Sequence, residues 1–256
     1  MDLQFFGGRG GKSGKKPKVE STHNPFSDTD SAPFRYMSDN EERTYYDKQN
    51  LSEHEKEAFA LYTNPVQEPG SLYNFSQNMN YAYLNGLPMT SQQKDAFETI
   101  TASMHNLGYN AELIRYDHYE LVNRLMKQEG ISGTASKMTP TKLKKLIGVQ
   151  YQDNRILSTS ANNFKNSSDP STFTTRLFKF TYQAKAKTQA VMPGDISIPG
   201  FKKGATTGDT FAELLLSPKN RYIIKEIRYS GAKARLKGHS KSDLTKKQIE
   251  IVIEVE

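Results

Sequence analysis

The period of the apolar residues changes near residue 110, and this change constrains the fold more than any other feature of the sequence. Before it, apolar residues recur at helical spacing, as at Phe97 and Ile100. After it, apolar and polar residues alternate. The alternation is clearest in residues 248–256, where it predicts a strand with one buried face. A chain that forms amphipathic helices first and half-buried strands later is expected to fold as an α+β domain.

Capping signals mark the starts and ends of the predicted helices. Ser52 and Glu55 form a capping box, in which a hydroxyl and a carboxylate three residues apart satisfy backbone N–H groups at a helix start. Thr90 and Gln93 repeat this pattern, and Gly86 is a typical helix stop. These signals define three helices in the first part of the chain.

The predicted elements are as follows. Helices are expected over residues 51–62, 71–85, 90–107, 120–127 and 141–147. Strands are expected over residues 112–119, 155–158, 176–183, 212–216, 221–228 and 248–256. The apolar residues expected to face the core are Leu72, Phe75 and Met79 in the second helix and Phe97, Ile100, Met104 and Leu107 in the third.

The first 48 residues are predicted to form a flexible tail, and residues 49–256 a single domain. Such a polar, glycine-rich segment buries too little apolar surface to offset the entropy lost on ordering. Phe5 and Phe6 are the exception: they are either a short apolar plug that docks on a partner or simply part of the tail. We expect neither a signal peptide nor a membrane-spanning segment, because no apolar run is long enough for either.

The composition limits the classes of partner and cofactor. The net charge of +7 favours anionic partners, and basic residues are concentrated between Arg228 and Lys247. We favour a solvated loop over a nucleic-acid surface in this stretch, because Tyr229 is its only aromatic residue. The chain has no Cys, and its five His residues lack the spacing of metal ligands, so no metal is expected.

Three short polar stretches lie in or beside predicted strands and are candidates for a functional site. They are Arg115, the run Ser158-Thr159-Ser160, and Glu213 ahead of three leucines. Each stretch taken alone is ordinary. A strand arginine usually forms an ion pair, Ser and Thr hydroxyls bond to local backbone in turns, and a glutamate often begins a strand at its solvated end.

Together, and in this order, the three stretches resemble the Arg, Ser-Thr-Ser and Glu signature of the ADP-ribosyltransferase exoenzyme family. The resemblance extends to Leu61-Tyr62-Thr63, to the Tyr- and Asn-rich residues 73–86 and to Leu87-Pro88, and it covers roughly residues 50–256. It implies helices packed on a split, mostly antiparallel β-sheet. It also implies an enzyme that cleaves NAD at the nicotinamide–ribose bond and passes ADP-ribose to a macromolecular acceptor.

The resemblance assigns the three stretches to one site with NAD as the substrate. The planar guanidinium of Arg115 suits the pyrophosphate oxygens. Because nicotinamide is already a cationic leaving group, the charge that needs stabilising is that of the oxocarbenium-like ribose. Glu213 would stabilise this charge and bond the ribose 2′-hydroxyl, while Ser158 would hold the carboxylate and the ribose in register. Thr159 and Ser160 would shape the nicotinamide pocket.

Two loops are implied to complete the site. The loop over nicotinamide would contain Phe164 and Phe173, either of which could stack on the ring, although core packing explains both residues equally well. The loop that recognises the acceptor would present Asp209, Thr210 and Phe211. Relatives that modify protein side chains usually carry Glu or Gln where this chain has Phe211, so the chemistry of the acceptor is left open.

The run Leu3-Gln4-Phe5-Phe6-Gly7-Gly8-Arg9-Gly10 resembles the start of minor head proteins of bacteriophages. This implies a virion-associated protein that contacts the phage head or portal through residues 1–20 and is delivered to the cytoplasm of a bacterial host, where its acceptor would be a host protein. The alternatives are a head-associated structural protein whose transferase fold has lost catalysis, and an enzyme that only hydrolyses NAD. Phe211, and Tyr116 where relatives commonly have Gly, keep both alternatives open.

Overall fold

The computed structural model describes residues 32–64, 66–117, 119–162, 175–194, 213–234 and 246–256. Its α-helices are α1 (Asp39–Gln49), α2 (Glu53–Thr63), α3 (Phe75–Asn85), α4 (Ser91–Ala102), α5 (Glu120–Gln128) and α6 (Pro140–Leu143). Its strands are β1 (His105–Asn106), β2 (Ala111–Asp117), β3 (Gln150–Gln152), β4 (Leu157–Ser160), β5 (Phe178–Ala184), β6 (Gln189–Val191), β7 (Glu213–Leu216), β8 (Arg221–Ala234) and β9 (Lys246–Val255). Short 3₁₀ turns cover Ala135–Lys137 and Lys144–Leu146.

The described strands form one sheet in the order β1-β6-β7-β4-β2-β5-β9-β8-β3. All neighbouring pairs are antiparallel except β5 and β9, which run parallel. Strands β2 and β4 are joined through a single residue pair, Ile114 and Ser160, within the described ranges. The sheet is therefore weakly joined between these two strands, and the predicted α+β fold with a split, mostly antiparallel sheet is confirmed.

At strand β7 both faces of the sheet are covered. Leu215 belongs to a cluster with residues of α2, α3 and α4, whereas Leu214 and Leu216 belong to the larger cluster that includes residues of α1 and α5. Alternate residues of a strand point to opposite faces. Glu213 therefore lies on the same face as Leu215, toward the α2–α4 helices.

The capping signals correctly predicted most of the helix boundaries. Ser52 accepts a hydrogen bond from the Glu55 N–H at the start of α2, and Thr90 accepts one from Gln93 at the start of α4. Gly86 ends α3 in the left-handed conformation, with φ of 63°. Local side-chain to backbone bonds decide these boundaries, which is why the sequence alone reveals them.

Helix α1 was not predicted, the helix predicted over 141–147 is α-helical only to Leu143, and two boundaries of α3 and α4 also differ from the prediction. Helix α3 begins at Phe75 rather than residue 71, because Asn74 caps it, and Leu72 is 65% exposed rather than buried. Helix α4 ends at Ala102, although Met104 and Leu107 are buried as expected. The chain leaves the helix here because the residues that follow Met104 form strand β1, which pairs with β6.

The packed fold begins earlier than the predicted boundary at residue 48. Met37 and the α1 residue Tyr45 are both buried in the larger core cluster. The Gln49 side chain makes two hydrogen bonds with the backbone of Met192, each of 2.7 Å. Residues 1–31, which contain the Phe5-Phe6 plug and the stretch that resembles phage head proteins, lie outside the described residues.

Strand β9 departs from the one-sided burial that its alternation predicts. It lies between β5 and β8, and Glu250 and Val252 are buried along with the isoleucines. The buried Glu250 carboxylate accepts hydrogen bonds from Lys179, Thr181 and Arg228. Side chains of the neighbouring strands β5 and β8 surround Glu250 on the second face, and the sequence pattern of β9 does not reveal these partners. Across the described ranges, no helix combines the length and apolar character needed to cross a membrane.

Candidate active site

Three adjacent strands carry the three predicted site residues. Arg115 lies on β2, Ser158 on β4, and Glu213 is the first residue of β7. These strands are consecutive in the sheet, in the order β7-β4-β2. Residues far apart in the chain therefore meet beside the weak junction between β4 and β2.

Ser158 links the other two residues through its side chain and its backbone. Its Oγ donates a hydrogen bond of 2.6 Å to Glu213 Oε1. Its carbonyl oxygen accepts one of 2.9 Å from Arg115 Nη1. Glu213 pairs with Ser160 across the ladder, so Ser158 lies two residues along the same face of β4. The serine and the carboxylate are brought together by strand register rather than by loop geometry.

The Glu213 carboxylate is buried with one oxygen unused. The residue is 2% exposed, and Oε2 has no hydrogen-bond partner in the described part of the chain. Burial raises the pKa of Glu213 to about 7, against the hydrogen bond from Ser158 and the charge of Arg115, which both lower it. A buried acceptor without a donor costs about 1–3 kcal/mol. This oxygen is therefore an acceptor that the described residues leave unsatisfied, and it is not exposed at the surface.

A cavity of about 450 Å³ opens in front of Ser158 and Arg115. Helix α3, the start of α5 and the segment that leads into β4 supply most of its wall. It is lined by Tyr62, Tyr73, Asn74, Ser76, Gln77, Asn80, Tyr81, Leu84, Arg115, Tyr119, Glu120, Asn123, Arg155, Ile156, Leu157 and Ser158. The wall combines tyrosine rings with two arginines and one glutamate, so it can contact both apolar and charged groups of a ligand.

No protein-family model matches the sequence, and no curated protein matches it either. Solved structures do match. The Clostridium limosum C3 exoenzyme is 22% identical over 91% of this chain and 100% of that chain, with a TM-score of 0.54. Plx2a, an ADP-ribosyltransferase toxin from Paenibacillus larvae, is 16% identical over 84% of this chain and 92% of that chain, with a TM-score of 0.57.

A third similar structure is C3stau2 from S. aureus, determined with NAD. It is 14% identical, its match covers 88% of this chain and 99% of that chain, and the TM-score is 0.55. The chain has the ADP-ribosyltransferase fold. At these identities the likeness concerns the fold, and what the site does has to be argued from its own residues.

Thr159 and Ser160 complete the strand end of this ADP-ribosyltransferase fold but do not line the cavity. Thr159 Oγ1 donates to the carbonyl of Leu214 at 2.8 Å, and Ser160 Oγ donates to Asn162 Oδ1 at 3.2 Å. Both residues are buried. These hydrogen bonds hold β4 against β7 and shape the turn after β4. They help to position Ser158, but neither side chain lines the cavity.

A clamp holds the backbone just before Ser158 and was not predicted from the sequence. The N–H of Ile156 donates to Asn80 Oδ1 at 3.1 Å, and Asn80 Nδ2 donates to the Ile156 carbonyl at 3.4 Å. The same carbonyl accepts a hydrogen bond of 2.9 Å from the Tyr62 hydroxyl. Helices α2 and α3 thus fix the entry to β4. The resemblance had included both residues, Tyr62 in Leu61-Tyr62-Thr63 and Asn80 in the Tyr- and Asn-rich residues 73–86, but it gave neither a role.

Other predicted site residues lie outside the described residues. These are Phe164 and Phe173 in the loop expected over nicotinamide, and Asp209, Thr210 and Phe211 in the loop expected to recognise the acceptor. Tyr116 is buried within the regular strand β2, so the residue that follows Arg115 leaves the strand intact. Among the residues that the structure describes, no group of three His, Cys, Asp or Glu side chains could hold a metal ion.

Proposed function

We propose that this protein is an NAD-dependent mono-ADP-ribosyltransferase that cleaves the nicotinamide–ribose bond and transfers ADP-ribose to a macromolecular acceptor. The observation that carries the proposal is the Glu213 carboxylate, held by Ser158 at 2.6 Å with its second oxygen unpartnered among the described residues. Two kinds of evidence support it: the ADP-ribosyltransferase fold and the NAD bound to one protein that shares it.

Cleavage of the nicotinamide–ribose bond does not need a strong proton donor. When the bond from ribose C1′ to the ring nitrogen breaks, its electron pair neutralises the pyridinium, and nicotinamide leaves as a neutral molecule. The positive charge that remains is shared between C1′ and the ring oxygen of the ribose. A nearby carboxylate stabilises this cation more than it stabilises the ground state, which is the condition for catalysis. A nucleophilic atom of the acceptor, or water, then bonds to C1′ and releases its proton.

The cavity offers groups for each part of the dinucleotide. Ser158 and the Glu213 carboxylate behind it would bind the nicotinamide-side ribose. Arg115 would bind the pyrophosphate through its guanidinium, whose planar set of donors matches phosphate oxygens. Tyr73 and Tyr81, whose rings stack with centroids 6.2 Å apart, would supply an aromatic surface for adenine.

Release of nicotinamide from NAD tests the proposal directly. We expect the wild-type protein to release nicotinamide and Glu213→Gln to lower the rate by about 100-fold or more, because an amide cannot stabilise the cation. Glu98→Gln is the matched control, since among the described residues the Glu98 side chain forms an exposed ion pair with Lys94 and lies outside the cavity wall. If the folded wild-type protein releases no nicotinamide, or if Glu213→Gln is as active as Glu98→Gln, the proposal fails. The first outcome would favour a structural protein with a degenerate transferase fold.

The identity of the acceptor and the association with a phage are further proposals. Asp209, Thr210 and Phe211 would recognise the acceptor, which we propose to be a protein of a bacterial host. Association with a phage head or portal depends only on the resemblance of residues 3–10. Transfer of labelled ADP-ribose to proteins of a bacterial lysate, with Glu213→Gln as the blank, distinguishes a transferase from an enzyme that only hydrolyses NAD.

A further inference from the structure

A second guanidinium lines the cavity, and it makes two different kinds of contact. Arg155 donates from Nε and Nη2 to the two carboxylate oxygens of Asp153, each at 2.9 Å, in a planar two-point contact. It also donates from Nη1 to Glu120 Oε1 at 2.9 Å. The Asp153 side chain is 1% exposed, whereas that of Glu120 is 61% exposed. One contact is therefore buried and fixed, and the other faces solvent.

The buried contact fixes the orientation of the Arg155 guanidinium. Asp153 also accepts a hydrogen bond of 3.0 Å from Arg124. Burial opposes ionisation of Asp153, but the hydrogen bond and charge of Arg155 and the charge of Arg124 hold the pKa of this carboxyl at about 2. The carboxylate thus stays charged at physiological pH, and Arg155 keeps one orientation whether or not the cavity holds a ligand.

The exposed contact is easily exchanged. Glu120 is the only carboxylate that lines the cavity in the described part of the chain, and Arg115 and Arg155 are the only cations. The Arg155 side chain is 12% exposed but that of Glu120 is 61% exposed, so the Glu120 carboxylate can exchange the guanidinium for water. Glu120 is also the first residue of α5, where the positive end of the helix dipole favours any negative group, a phosphate as much as a carboxylate.

We propose that Arg155 is a second phosphate ligand in this cavity and that Glu120 is its displaceable counter-ion. The pyrophosphate of the dinucleotide takes the place of the Glu120 carboxylate on Arg155 Nη1, while Asp153 keeps the guanidinium in place. The inference rests on the proposed NAD chemistry for the identity of the ligand. It adds that the Glu120 carboxylate competes with the ligand phosphates for Arg155, so that removing the Glu120 charge improves binding.

The test compares Glu120→Gln with Glu129→Gln, which removes an exposed charge at the opposite end of the same helix. Binding of ADP-ribose and of adenosine is measured by calorimetry, and KM and kcat are measured for nicotinamide release from NAD. We expect Glu120→Gln to bind ADP-ribose about 3- to 10-fold more tightly, because a like charge near the phosphates is gone. The KM for NAD falls to match, while adenosine binding and the Glu129→Gln control do not change.

A double-mutant cycle shows whether the effect passes through Arg155. Arg155→Lys keeps the charge but loses the planar contact, so ADP-ribose binding should weaken roughly 10-fold. In that background the gain from Glu120→Gln should shrink or vanish, because the two residues are coupled. If Glu120→Gln increases the affinity for ADP-ribose equally in both backgrounds, its effect does not depend on Arg155 and the proposal is overturned. Thermal unfolding of each variant identifies a failure to fold.

The remaining outcomes separate this inference from the proposed function. If the wild type releases nicotinamide but Glu120→Gln binds ADP-ribose no more tightly, the enzyme assignment stands and the counter-ion role is wrong. If no variant releases nicotinamide and Glu120→Gln still tightens ADP-ribose binding through Arg155, the phosphate site stands without the activity. If ADP-ribose does not bind to the wild type or to Glu120→Gln, both proposals fail.

Discussion

At the scale of a single residue, Glu213 gives activity and stability opposite dependences on pH. Burial raises its pKa to about 7 from an ordinary value of 4.5. The ionised form stabilises the ribose cation, so NAD cleavage should increase as pH rises through about 7. Below about 4.5 the folded and unfolded chains both carry the neutral acid. Between 4.5 and about 7 the unfolded chain loses its proton first, so folding stability falls as pH rises.

Glu213→Gln should therefore be the more stable protein at high pH although it is the less active one. At pH 8 its free energy of unfolding should exceed that of the wild type by on the order of 2–3 kcal/mol, and near pH 4.5 the difference should disappear. Denaturant unfolding at both pH values measures this, alongside initial rates of nicotinamide release by the wild type from about pH 5.5 to 8.5. A stability difference that is the same at both pH values would show that burial of the charge is not its cause.

At the scale of secondary-structure elements, the sequence predicts those boundaries that depend on local interactions. The Ser52 and Thr90 caps and the Gly86 stop needed no knowledge of the rest of the molecule. Strands β1, β3 and β6 were missed, because strands of two or three residues show no measurable period and depend on their partners. Arg115, Ser158 and Glu213 were found through a resemblance in their order along the chain. Asn80 was not, because its partner Ile156 is 76 residues away in the sequence.

The clamp between helix α3 and strand β4 can be tested by itself. Asn80→Ala removes both hydrogen bonds to the backbone of Ile156, two residues before Ser158. Because small displacements of a reacting group are costly, we expect kcat for NAD cleavage to fall roughly 10- to 100-fold, with a smaller effect on KM. Asn78→Ala is the control on the same helix, since Asn78 bonds to Ser71 and Glu68 away from the site. Equal losses in both variants, or a loss explained by unfolding at the assay temperature, would count against the clamp.

At the scale of the whole molecule, the segment before α2 joins parts of the sheet that the split keeps apart. The Glu112 N–H on β2 donates to the carbonyl of Arg35 at 2.8 Å, and the Met37 N–H donates to the carbonyl of Ala161, just past β4, also at 2.8 Å. Strands β2 and β4 pair through one residue pair within the described ranges, so this backbone bridge connects the strands that carry Arg115 and Ser158. The polar composition of this segment predicted a flexible tail. The sequence does not show that its backbone can bond to β2 and to the residue after β4, so the prediction was wrong for residues 35–37.

Two truncations test this bridging role. A chain that begins at residue 32 keeps Arg35, Met37 and α1, and we expect it to unfold at nearly the wild-type temperature and to cleave NAD normally. A chain that begins at residue 51 loses the bridge and the buried side chains of Met37 and Tyr45, whose burial contributes about 3–6 kcal/mol. Its melting temperature should fall by on the order of 10 °C. The remaining folded protein should cleave NAD more slowly, because the end of β4 is then tied to β2 only by the Ile114–Ser160 pair and the Arg115 hydrogen bond among the described residues. Full activity and stability in this shorter chain would show that the sequence-based boundary at residue 48 was correct after all.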